Sequence, residues 1–337
     1  MINEFIATIP KAELQVHLEG SLEPALMLAL AIRNKVTLPY TSVADIKNSY
    51  RFTNLKSFLD LYYANMRVLV HEQDFYDLTM AYLTKAASQH VRHAEITFDP
   101  QAHLARGLAF ITVITGIRRA MVDADRDLGI SSHLIMSFMR DLSAEDASQV
   151  LLQSFEFKDW ITAVGLDSAE INNPPEKFQA VFASARDYGY FTVASAGEEG
   201  PPEYIWQALD VLKASRIGYA VRCLEDPDLV NHLALTMTPL TICPVSNIKL
   251  CAVKSMRVHP LKKMLEQGLC VTVNSDDPAY FNAYINENFL EASASLKFTK
   301  AQIYEMAKNS FIASFLDNDK KELYIAELDR FYKLSCT

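Results

Sequence analysis

The sequence predicts an eight-stranded α/β barrel of the (β/α)8 TIM type, with extra helices near the barrel mouth. Three observations predict it: eight short β-rich runs, longer segments of helical spacing between them, and no linker or compositional break across 337 residues. Barrels of about 250 residues or more fold as one unit, so residues 1–337 read as a single domain.

The first strand is expected at 12–17 (AELQVH). The 20–90 region is too long for one crossover and should add two or three helices near the mouth. Pro24 marks a first turn there. Within 74–88, Phe75, Leu78, Tyr82, Leu83 and Ala86 share one helix face. Strands two to four are expected at 91–98 (VRHAEITF), 132–139 (SHLIMSFM) and 161–166 (ITAVGL). The fifth is 190–194 (YFTVA), after which Pro201 and Pro202 open a helix. Runs at 216–221, 239–243 and 270–274 complete the set, and Thr299 with Gln302 forms a capping box ahead of a last apolar run. Strands alternating with helices imply parallel pairing through right-handed crossovers. An open doubly wound sheet is the rival arrangement.

Half of the residues are apolar and 22% are charged, the balance of a soluble protein with a large core. A net charge of −9 argues against a nucleic-acid surface, which needs clustered Lys and Arg. No stretch approaches the ~18 apolar residues of a membrane helix, and the first residues, with Glu4, lack a signal-peptide pattern. Cys223, Cys243, Cys251, Cys270 and Cys336 form no CxxC pair and read as thiols of a reducing cytoplasm.

Barrel active sites lie at the C-terminal strand ends. Those ends supply Gln15, His17 and Glu19, then Glu95 and Asp99, then Arg140 and Asp141. Asp167 and Glu170, Ser195 and Glu198, Tyr219, Ser246 and Asn247, and Asp276 and Asp277 follow. Polar groups at all eight ends of otherwise apolar strands point to a common polar pocket. For Ser246, Asp99 and Glu170, helix capping is the plainer reading.

Four segments carry a resemblance. K-A-E-L-Q-V-H-L-E-G-S-L-E-P, S-A-G-E-E-G-P, R-I-G-Y-A-V-R-C-L-E-D and V-N-S-D-D-P-A resemble motifs of the adenosine/adenine deaminase family, in that family's order, over about 10–285. Glu19 and the compact N-terminus look more like the adenine branch of these amidohydrolases. The resemblance implies a zinc site at Gln15, His17, Ser195 and Asp276. It makes Glu198 the acid toward a purine ring nitrogen and Asp277 the partner of the imidazole part. Tyr219 then stands where a histidine orients the attacking water, and Gly165 offers a backbone N–H to the ring.

At Gln15, Ser195 and Tyr219 the family has histidines. Of the eight histidines only His17 sits at a motif position; His71, His90, His93, His103, His133, His232 and His259 read as packed or surface groups. Catalytic zinc takes three protein ligands from Cys, His and carboxylate, and neutral amide or hydroxyl oxygens are weak substitutes. His17 and Asp276 would remain as remnant ligands, and no cofactor is expected. Metal binding lowers the pKa of water from about 16 to about 7, so its loss removes roughly 12 kcal/mol of help in forming hydroxide. A phenol such as Tyr219, titrating near ~10, cannot substitute as base. The expectation is therefore a ligand-binding pseudoenzyme that keeps a pocket for a small purine-like heterocycle, with no nucleic acid or membrane partner. Two alternatives stand beside it: metal-independent chemistry through Glu198, Asp276 and Tyr219, or an aminohydrolase with a rearranged metal site.

Overall fold

In the computed structural model, which describes residues 2–335, eight strands lie side by side in chain order. They are β1 (Lys11–His17), β2 (Val91–Phe98), β3 (Ser131–Met139), β4 (Ala163–Asp167), β5 (Phe191–Ala196), β6 (Arg216–Tyr219), β7 (Leu240–Ile242) and β8 (Val271–Val273). Every neighbouring pair is parallel. The predicted barrel is present, and the open-sheet rival is excluded by the seam. There the His17 N–H donates to the Asp276 carbonyl at 2.9 Å, and the Asp276 N–H donates to the Gln15 carbonyl at 3.1 Å. Below it, the Leu14 N–H reaches Asn274 Oδ1 at 2.8 Å. Thus the turn that carries Asp276 and Asp277 also closes the sheet.

Some strand ends shift, for physical reasons. β4 and β5 run further toward the mouth than predicted, so Asp167 and Ser195 lie inside ladders rather than beyond them. β6 stops at Tyr219, because Tyr219 and Ala220 take left-handed φ values of 62° and 52° that leave the ladder. Glu95, read as a strand-end group, instead lies within β2 and pairs with Arg216 Nη2 at 2.6 Å inside the barrel.

The expected extra helices are Pro24–Arg33, Val43–Ser49 and Leu55–Asn65. The next helix, Glu72–Ser88, buries the predicted face of Phe75, Leu78, Tyr82, Leu83 and Ala86. It packs on helix Phe110–Leu128 at Gly116, where a Cβ would lie 2.2 Å from the Glu72 carbonyl oxygen. Only glycine permits that approach. The Thr299–Gln302 capping box opens helix Lys300–Ala313. Among the described residues no helix is long and apolar enough to cross a membrane.

Candidate active site

At the C-terminal ends of the strands a cleft opens. His17, Ser195, Glu198, Tyr219, Asp276 and Asp277 line its floor, while Leu55, Phe58, Tyr62 and Tyr63 from the added helix wall one side. Those six polar positions were predicted, and the fold brings them together.

Glu198 follows β5 and is 5% exposed. Its Oε1 accepts from Asn247 Nδ2 at 2.9 Å, and Asn247 Oδ1 is 3.2 Å from His259 Nε2. Burial, and then the charge of Asp276, pushes the Glu198 carboxyl well above the usual range. That shift favours its protonated form. Asp276 accepts from the Tyr219 hydroxyl at 2.9 Å and from Ser246 Oγ at 2.6 Å. Burial, followed by Asp276, raises the Tyr219 phenol well above its ordinary value, so it is a neutral donor and no base. Both Tyr219 and Asp276 sit at positive φ, 62° and 64°. Such backbone costs about 1–3 kcal/mol per residue and persists where a site needs the geometry. Asp277 is seated against Gly20, where a Cβ would lie 2.0 Å from Asp277 Oδ1.

Three predicted ligand residues lie elsewhere. Gln15 and Gly165 line a second, deeper cavity inside the barrel, shared with His17 and Ser195. Gln15 Oε1 accepts from the Thr241 hydroxyl. Gly165 packs so that a Cβ would meet Ser137 Oγ at 2.7 Å. Glu19 is buried behind the floor, bonded to His103 Nε2 at 2.7 Å. Asp99, Arg140, Asp167 and Glu170, read from the sequence as strand-end polar groups without a role in the chemistry, also line the cleft. Asp99 precedes a helix without capping it through its side chain, and Ser246 is bonded to Asp276 instead. The signal available was the run of carboxylates at strand ends; their partners become visible only when the barrel closes.

A metal centre needs donor atoms that nothing else has claimed. Ligand atoms of His17, Asp99 and Asp167 lie within 4.8 Å of one another. Both Asp167 oxygens and Asp99 Oδ1 are buried without a hydrogen-bond donor. Burial, and then the charge of Glu19 on Asp99 and of Asp99 on Asp167, pushes both carboxyls well above the ordinary range. A divalent cation would satisfy these oxygens and relieve that repulsion. One imidazole with two carboxylates is a donor set that zinc and harder divalent ions accept. The residues fit. Asp276 stands 3.6 Å from His17 Nε2 on the ring's other side, opposite Asp167 at 3.7 Å from Nδ1. A second set with ligand spacing, His93, Glu95 and His133, lies lower in the barrel. There Arg216 already supplies the cation facing Glu95.

Residues 10–331 match the adenosine deaminase family. The chain belongs to that family. It is 52% identical to an adenine deaminase of Acinetobacter baylyi over 97% of this chain and 99% of that one. Among solved structures, an adenine deaminase from Arthrobacter aurescens superposes with a TM-score of 0.95 at 47% identity, covering 97% and 100% of the two chains. An amidohydrolase from Burkholderia ambifaria, described with bound Zn, superposes at 0.91 with 27% identity, covering 98% and 93%.

These relatives correct two expectations. Adenine deaminases about this similar over the whole length overturn the ligand-binding pseudoenzyme, and the metal-independent alternative with it. The zinc-holding neighbour, together with the His17, Asp99 and Asp167 donors, overturns the expectation of no cofactor. The physical reason is plain. Counting lost imidazoles at motif positions ignored carboxylates at other strand ends that face the same histidine.

Proposed function

We propose that this chain hydrolyses adenine, replacing the exocyclic amine by oxygen from water and releasing ammonia. The observation that carries the reading is Glu198, a buried carboxyl held by Asn247 that shares one cleft with Asp276 and Asp277, its proton affinity raised by burial. Its support is similarity to adenine deaminases along nearly the whole chain. Glu198 gives its proton to a ring nitrogen, with Asn247 fixing its direction. Asp277 meets the imidazole part of the purine. Tyr219 and Ser246 hold Asp276 in one orientation. Phe58, Tyr62 and Tyr63 cover the flat ring and exclude water. A divalent cation held by His17, Asp99 and Asp167 would make the attacking water easier to deprotonate. The buried, unpaired Cys223, Cys243 and Cys270 support cytoplasmic residence.

Purified protein supplied with zinc, manganese or ferrous iron is expected to release one ammonia per adenine consumed. No ammonia with any of the three metals would sink the reading. Metal analysis provides a separate expected result: Asp167→Asn should bind its cation at least about 10-fold more weakly than wild type, with an unchanged circular dichroism spectrum. Gly20→Ala should raise KM for adenine about 10-fold, because the added methyl cannot coexist with Asp277 in its present seat. A wild-type KM would show that Asp277 does not touch the ring.

A further inference from the structure

We propose that Glu170 is a positioning residue for the reaction, its carboxylate fixing the loop that carries Glu198. The inference rests on the adenine-deaminase reading above. Glu170 follows β4 and is 3% exposed. Its Oε1 accepts from the Gly197 N–H at 2.6 Å. Its Oε2 accepts from the N–H groups of Glu198, Glu199 and Gly200 at 3.1, 2.8 and 2.8 Å. Successive backbone N–H groups turned toward one point form an anion-binding concavity, and here the anion belongs to the chain itself.

Two glycines of the A-G-E-E-G-P segment answer to this arrangement. Gly197, at φ +76°, turns the chain out of β5 so that its N–H faces Glu170. Gly200 sits so close that a Cβ would lie 2.5 Å from Tyr204 Cδ2 and 2.6 Å from Glu170 Oε1. Arg140 ties the same region from another side, donating from Nη1 to the Ser195 carbonyl at 2.7 Å and from Nε to the Asn173 carbonyl at 2.8 Å. The acid therefore has separate holders: Glu170 for its backbone and Asn247 for its carboxyl. A carboxylate with this many charge-assisted bonds is far stronger than a surface cap.

Glu170→Gln keeps the shape but turns an amide toward N–H donors. It is expected to lower kcat on adenine about 10²-fold, since small misplacements of reacting groups cost that much, with KM within about threefold. Because Glu170 acts through Glu198, the double variant Glu170→Gln/Glu198→Gln should be no slower than Glu198→Gln alone. Wild-type kcat in Glu170→Gln, or losses that multiply in the double variant, would overturn the proposal. Hydrogen exchange reads the same contact without activity: the amides of residues 197–200 should exchange at least about 10-fold faster in Glu170→Gln. Gly200→Ala, whose methyl crowds the Glu170 carboxylate as well as the Tyr204 ring, should reproduce both effects and serves if the first variant fails to fold. If wild type releases no ammonia from adenine, the functional reading fails, and the exchange measurement alone judges Glu170. Unchanged protection then overturns it.

Discussion

Glu198→Gln is expected to lose about 10²–10⁴-fold in kcat on adenine, the usual contribution of a positioned proton donor. The replacement is nearly isosteric and retains an oxygen for Asn247 Nδ2, so the cleft should keep its shape. What it removes is the transferable proton. In the native chain burial, and then Asp276, holds that proton on the carboxyl well above ordinary carboxylate range. The sign follows directly. The protonated form works, so kcat/KM should fall as pH rises through the elevated Glu198 value, and that basic limb should vanish in the variant. Ammonia release followed against pH checks both points. Equal rates for the two proteins, or the same limb in both, would remove Glu198 from the role of acid.

Glu198, Tyr219, Asp276 and Asp277 were legible in the sequence because each stands inside a short motif at a strand end, and the barrel delivers them to one floor. The strands themselves were legible because apolar runs alternate with helical spacing. Their ends were less so: Asp167 and Ser195 pair within the ladder, a choice set by neighbouring strands rather than by local propensity. Gln15 and Glu19 were placed in the pocket by motif position alone. The pleat turns Gln15 toward the deeper cavity, and His103 claims Glu19. Asp99, Asp167 and Glu170 were legible as strand-end groups, but their roles were not. A carboxylate beside a helix start looks the same whether it caps that helix, holds a loop or faces a cation. Only closure of the barrel shows that Asp167 finds no donor while Glu170 gathers the loop's N–H groups.

At the other end of the barrel, Arg216→Ala is expected to destabilise the chain by about 3–5 kcal/mol, the usual result of breaking a buried ion pair from one side. Arg216 is 2% exposed and Glu95 fully buried. The guanidinium also donates to the carbonyls of Ala313 and Leu14 at 3.1 and 3.2 Å and lies 4.7 Å from the Phe315 ring centre. Burial alone would raise the Glu95 carboxyl; Arg216 foremost, then His93 and the Phe315 N–H, reverse this and hold it at about 2. A depressed carboxylate stabilises fully above its unfolded value of 4.5 and loses that contribution as pH falls toward about 2. Without Arg216 the same carboxyl is buried with only His93 and the Phe315 N–H beside it and no guanidinium counter-charge, and protonation relieves it. The gap between wild type and variant should therefore be widest near neutrality and narrow steadily below the ordinary glutamate range. Urea unfolding at several pH values measures it, and a loss under about 1 kcal/mol at neutral pH would mean that Glu95 had found another partner. Arg216→Met with Glu95→Leu should recover much of the loss, since an apolar pair leaves no stranded charge. That recovery would show a floor built only for stability, free to change without touching the carboxylates at the mouth.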